Sequence, residues 1–130
     1  MIYGIGCDIV EVSRFKKNVE KSGFIDRFFN KEEKCSETSN VQYLSEYYAA
    51  RFAVKEAFSK ALGTGIIGFD LRDVFVKKNS EGCPYICVTG RALEVLHLRC
   101  GQKCNFFVSI SHEKNYAMAY VVIEKEDGTR

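Results

Sequence analysis

Apolar and polar positions change rhythm several times along the chain, and each change predicts an element. Residues 2–10 are almost wholly apolar and include Gly4 and Gly6, which predicts a buried strand. Asp8 is the one carboxylate in that run, and strand alternation puts it on the face of Gly6 and Val10. In residues 11–19, Val12, Phe15 and Val19 recur at helical spacing. Asn30-Lys31-Glu32-Glu33 and Ser39-Asn40-Val41-Gln42 each have the form of a capping box. The second is expected to open a long helix that closes at Gly63, with Leu44, Tyr47, Tyr48, Val54, Phe58, Ala61 and Leu62 on its core stripe. Another stripe holds Phe52, Glu56 and Lys60, with Arg51 and Lys55 beside it.

A glycine-rich loop, residues 63–68, follows that helix. Residues 72–77 alternate as a strand, turn at Asn79-Ser80-Glu81-Gly82, and lead to a second strand over 85–88. A helix over 89–100 stops at Gly101. Residues 105–111 and 116–124 then read as a hairpin about a polar turn at 112–115, with a polar tail beyond. One strand, then helices, then mostly strands with one more helix predicts an α+β fold over residues 1–130. It is a single domain whose largely antiparallel sheet packs against a long central helix.

Composition narrows the classes of function. A formal charge of +2 is too small to imply a nucleic-acid partner, and no apolar run approaches a membrane span. The first residues lack a basic n-region and a small-residue cleavage site, so the expected compartment is the cytoplasm, where the six cysteines stay reduced. Cys83-x3-Cys87 and Cys100-x3-Cys104 match zinc spacing only loosely, and the apolar settings of Cys7 and Cys87 favour free thiols. Charge is uneven, however. Residues 12–31 hold six basic and two acidic side chains, interleaved with Phe24, Phe28 and Phe29. Such a segment is either a solvated face or a docking surface for an acidic partner.

Two carboxylates stand out as chemistry. Asp8 lies in an apolar strand, where a bare charge is costly without compensation, and Glu56 lies on the long helix near Arg51, Lys55 and Lys60. Oxygen ligands suit Mg²⁺, which keeps waters and takes further oxygens from phosphate; the three cations suit phosphate oxygens. Ser109, Ser111 and His112 add donors. Adjacency of Ser111 and His112 in sequence does not make a nucleophile–base pair, so metal-assisted phosphoryl transfer fits better than acyl transfer.

Three segments resemble the bacterial holo-acyl-carrier-protein synthases, the small 4′-phosphopantetheinyl transferases. They are Gly4-Ile5-Gly6-Cys7-Asp8-Ile9-Val10-Glu11-Val12-Ser13-Arg14-Phe15, the run from Arg51 through Lys55-Glu56 and Lys60 to Ile66, and Ser109-Ile110-Ser111-His112-Glu113 on to Ala119. The chain departs most from the family pattern over residues 30–43. The resemblance implies transfer of 4′-phosphopantetheine from coenzyme A to a serine of acyl carrier protein, for fatty acid biosynthesis. It implies Asp8 and Glu56 as Mg²⁺ ligands, with Lys60 near the transferred phosphate. Arg51, Ser109, Ser111 and His112 fall on coenzyme A-binding positions, and Arg14 on the helix that meets the acidic carrier protein. It also implies a homotrimer with active sites between subunits. The base for the incoming serine stays open between water on the metal and Glu56 acting through a water. A non-catalytic carrier-protein binding module and another Mg²⁺-dependent phosphotransferase stand as alternatives.

Overall fold

A computed structural model describes residues 1–65 and 68–126. Ile66 and Ile67 of the expected glycine-rich loop, and the end of the polar tail, lie outside the described residues. The longest element is helix α3 (Val41–Leu62), and the rest of the fold is arranged around it. Strands β1 (Ile2–Glu11), β4 (Cys104–His112) and β5 (Tyr116–Lys125) form one antiparallel sheet in the order β1-β5-β4. Strands β2 (Val74–Lys78) and β3 (Pro84–Val88) form a separate antiparallel pair. Short helices α1 (Ser13–Asn18) and α2 (Phe24–Phe28) follow β1, and α4 (Gly90–Cys100) joins β3 to β4. The α+β class with antiparallel strands on a long helix is as expected, but the strands divide into two sheets.

Local chemistry explains the ends of α3. Gly63 closes it at φ 89°, the left-handed conformation that glycine adopts without a Cβ penalty. Its N-cap is Asn40, one residue later than the expected Ser39, because the Asn40 side chain accepts from Tyr43 N. The earlier box is real: Asn30 N donates to Glu33 Oε1, and the Asn30 side chain accepts from Glu32 N in a 3-10 turn at Lys31–Glu33. Between that turn and α3 no helix forms among the described residues.

Strand β1 is buried on one face only. Gly6 and Val10 point inward, whereas Ile5 and Ile9 are 62% and 64% exposed. On the inner side the strand lies directly on α3, since a Cβ on Gly6 would run into the Ala57 carbonyl and one on Gly4 into that of Ala61. Glycine on the strand and alanine at helical spacing together permit this approach.

Burial of α3 extends well beyond one apolar stripe. Lys55, expected beside the phosphate-binding cations, is fully buried with Glu33. Its ammonium donates to Glu33 Oε1 (2.6 Å) and to the carbonyls of Leu71 (3.1 Å) and Val74 (2.6 Å), while Glu33 Oε2 accepts from Val76 N. Lys55 is therefore part of the core, because all its donors are taken by partners that water cannot replace. Lys55→Met should leave the Glu33 carboxylate buried without its cation and lower stability by about 3–5 kcal/mol, read as the shift of a urea unfolding midpoint.

Candidate active site

Strand β1 and helix α3 place the two carboxylates opposite each other. Asp8 pairs in register with Ala119, which puts its side chain on the helix-facing side of the sheet, and it is 18% exposed. Lys60 reaches across from α3 to donate to Asp8 Oδ1 (3.2 Å) and to the Cys7 carbonyl (3.0 Å). Its ion pair thus runs to the strand rather than along the helix to Glu56, and Asp8 has the cation partner that the sequence did not show. Among the described residues the Glu56 carboxylate takes no hydrogen bond. Burial, and then the charge of Asp8, push its carboxyl above the usual range, opposed by Lys60 and Arg14. Two nearby carboxylates with one ammonium between two elements leave negative charge uncompensated, which is a donor set that suits a hard divalent cation. Oxygen donors of this kind are the chemistry that Mg²⁺ takes, and Asp8 and Glu56 are the residues that would hold it. No group of three or more His, Cys, Asp or Glu side chains gathers as a metal site among the described residues.

Arg51 and His112 belong to a different place. Together with Tyr43, Glu46, Tyr47, Val76, Lys78, Pro84 and Ile110 they line an open cavity of about 300 Å³ between α3, the β2–β3 pair and the end of β4. The Arg51 guanidinium lies 3.6 Å from the Tyr47 ring centroid, a cation–π contact, and its Nε is buried without a hydrogen-bond partner among the described residues. Tyr47 in turn donates to the Glu33 carbonyl (2.7 Å). His112 closes β4 instead of entering the turn, and its Nδ1 lies 2.9 Å from Glu46 Oε1. A stacked aromatic pair (Tyr43 and Tyr47), apolar walls and two cations suit a nucleotide. Tyr47 was legible as the residue one turn before Arg51; Glu46 and Lys78 carried no comparable signal.

Ser109 and Ser111 lie on neither side of this arrangement. Register places Ser109 across Tyr120 from Cys7, and Ser111 across Met118 from Ile9, all on the sheet face that points away from α3. One chain therefore does not bring them to Asp8 and Glu56. Cys7 is exposed on the same outer face, contrary to its expected apolar setting. All six cysteines are free; Cys100 and Cys104 meet with sulfurs 2.7 Å apart, and burial, aided by Cys100, pushes the Cys104 thiol up to about 12. Arg14 on α1 is exposed, and its charge acts on Glu56.

A model of the 4′-phosphopantetheinyl transferase superfamily matches residues 4–121. A holo-acyl-carrier-protein synthase of Treponema denticola is 44% identical over 124 residues, covering 95% of this chain and 99% of that one. One from Clostridium kluyveri is 39% identical over 125 residues, with 95% and 91% covered. Among solved structures, the holo-acyl-carrier-protein synthase of Bacillus anthracis in complex with coenzyme A (3′,5′-ADP) superposes with a TM-score of 0.79 at 34% identity, covering 97% of this chain and 99% of that one. That of Plasmodium yoelii has a TM-score of 0.83 at 32% identity, with 98% of each chain covered.

The raised carboxyl of Glu56 sets a testable sign. Its folded pKa lies above the unfolded value near 4.5, so its ionisation opposes folding at pH values above the folded pKa, and that opposition fades as pH falls through it. Glu56→Gln should therefore raise the Tm of the metal-free protein at pH 8, and the gain should vanish by about pH 4, as scanning calorimetry across pH would show.

Proposed function

The chain belongs to the 4′-phosphopantetheinyl transferase superfamily, and on that premise we propose that it transfers 4′-phosphopantetheine from coenzyme A to a serine of apo acyl carrier protein, releasing adenosine 3′,5′-bisphosphate. The meeting of Asp8 and Glu56 beside Lys60 is the observation that carries it. A module that only bound the carrier protein would have no use for a crowded carboxylate pair.

The serine hydroxyl attacks the phosphorus next to pantetheine, its oxygen forming the new P–O bond and its proton passing to a water in the site, as the bond to the adenosine bisphosphate breaks and that group leaves with the bonding electron pair. Asp8 and Glu56 would hold Mg²⁺, which supplies positive charge to the pyrophosphate oxygens when bound. Lys60, held by the Cys7 carbonyl and Asp8, offsets negative charge on the transferred phosphoryl group. Arg51 and His112 line the cavity that suits the nucleotide. Arg14 is exposed on the basic helix α1 and its charge reaches Glu56, which supports a role in meeting an acidic carrier surface. The nucleophile arrives with the carrier, so this chain needs none of its own.

The outer sheet face supports a reading of the assembly. Ile5, Ile9, Phe107, Met118 and Tyr120 are exposed there around Ser109 and Ser111, a broad apolar patch for a protein of this size. We propose that copies of the chain pack on this face as a homotrimer, completing each site with Ser109 and Ser111 from a neighbouring copy. No described helix is long and apolar enough to cross a membrane. On the activity proposed above, the chain's place of work is the cytoplasm, on the carrier of fatty acid biosynthesis.

Incubation with coenzyme A, Mg²⁺ and apo carrier protein should add one phosphopantetheine mass to the carrier; its absence would overturn the assignment. Asp8→Asn and Glu56→Gln should fold and lose turnover by orders of magnitude, and chelation should abolish transfer without melting the protein. Arg14→Glu should raise KM for the carrier at low salt, an effect that shrinks as ionic strength rises, with KM for coenzyme A little changed. Tyr120→Glu should dissociate the assembly in light scattering and remove transfer with it.

A further inference from the structure

Three side chains form a relay at the rim of the nucleotide cavity. Gln42 Nε2 donates to Glu46 Oε2 (2.7 Å) and also to the Lys114 carbonyl (3.1 Å), tying α3 to the β4–β5 turn. The other oxygen of Glu46 meets His112 Nδ1 at 2.9 Å. The same turn is fastened on its far side, where Val12 N donates to the Asn115 carbonyl (2.8 Å). His112 closes a strand anchored at both flanks, so its ring has a defined place.

We infer that Glu46, braced by Gln42, is a positioning residue for coenzyme A binding, which fixes the His112 ring with its proton on Nδ1 and leaves Nε2 as the nitrogen open to the cavity.

The chemistry of the donors requires this arrangement. The hydrogen bond from Gln42, and then that from His112, hold the Glu46 carboxyl below the usual carboxylate range, so it is ionised near neutral pH. An ionised carboxylate only accepts, so Nδ1 must carry the proton that lies between them. With Nδ1 committed to Glu46, Nε2 is the ring nitrogen left to meet a ligand in the cavity. Without Glu46 both neutral forms of the ring are open, and the nitrogen toward the cavity no longer has one fixed role. Arg51 and Lys78, the cations that also line the cavity, are left for anionic groups.

Relevance to coenzyme A rests on the function proposed above, whereas the state of the ring does not, and the test separates the two. In the full-length protein, ¹⁵N NMR shifts of the His112 ring, read at a pH where the ring is neutral and distinguished from His97 by His97→Gln, report which nitrogen holds the proton. The wild type should show the Nδ1–H form alone, and Glu46→Gln a mixture, because a carboxamide can turn either its oxygen or its amide to Nδ1. In steady-state transfer assays Glu46→Gln should raise KM for coenzyme A about tenfold, with kcat and KM for the carrier within about twofold. Gln42→Ala should move both readouts in the same direction by less, and it carries the test if Glu46→Gln does not fold. An unchanged ring signature in the variants, or a fall in kcat with KM for coenzyme A unmoved, would overturn the inference. Loss of transfer by the wild type itself would overturn the proposed function while leaving the ring signature to decide the role of Glu46.

Discussion

The buried ion pair between Lys55 and Glu33 ties the parts of this fold together. Both side chains are fully excluded from solvent, and their hydrogen bonds reach Leu71, Val74 and Val76 as well as Asn30. Three stretches of chain, the 3-10 turns at Lys31–Glu33 and Leu71–Asp73 and strand β2, are thus fastened to the middle of α3. Burial pulls the Lys55 ammonium down from its usual pKa while Glu33 opposes that shift, so the pair is no great source of net stability. Its effect is on geometry. The Glu33 carbonyl holds the Tyr47 hydroxyl, the Tyr47 ring carries Arg51, and Val76 stands in the wall of the same cavity.

A second constraint acts on the opposite side of α3. Gly4 and Gly6 let β1 lie against the backbone at Ala57 and Ala61, closer than any side chain on the strand would allow. That approach brings Asp8 within reach of Lys60 and within the field of Glu56. The helix therefore works with two faces. One, packed on β1, gathers the carboxylates; the other, against the β2–β3 pair and the hairpin turn, walls the cavity of Arg51 and His112. From Glu46 to Glu56 the helix rises about 15 Å, so under the function proposed above the two faces would serve different portions of an extended substrate.

In the assembly proposed above, the outer sheet face would connect these two faces of α3 to a neighbouring copy. An antiparallel sheet with one face on a helix usually turns polar residues to water on the other. Here the other face alternates Ile5, Ile9, Met118 and Tyr120 with Ser109 and Ser111. Under the trimer proposed above, the same face that hides apolar surface also delivers two hydroxyls to a neighbour, so folding, assembly and catalysis would share one patch.

Much was legible in the sequence because it depended on local rules. The helix stop at Gly63 follows from backbone freedom, the capping box at Asn30 and Glu33 from side-chain reach, and the strand at residues 2–10 from its apolar run. Asp8 and Glu56 were visible as candidates because a carboxylate in an apolar strand needs a reason to be there. Tertiary structure decided what those rules do not contain. Lys55 and Lys60 sit on one helix a few residues apart, yet one is sealed in the core and the other half exposed beside Asp8. Which of them met a buried carboxylate depended on Glu33, far away in sequence. Ser109 and His112 are near neighbours on β4 that end on opposite sides of the sheet, since alternation separates them while only the packing of α3 says which side is inside. Glu46 gained its partner because the β4–β5 turn comes back over α3. Local pattern thus determined which residues were suited to chemistry, and long-range packing determined which of them meet, because burial and charge pairing depend on neighbours that the chain brings together only when it folds.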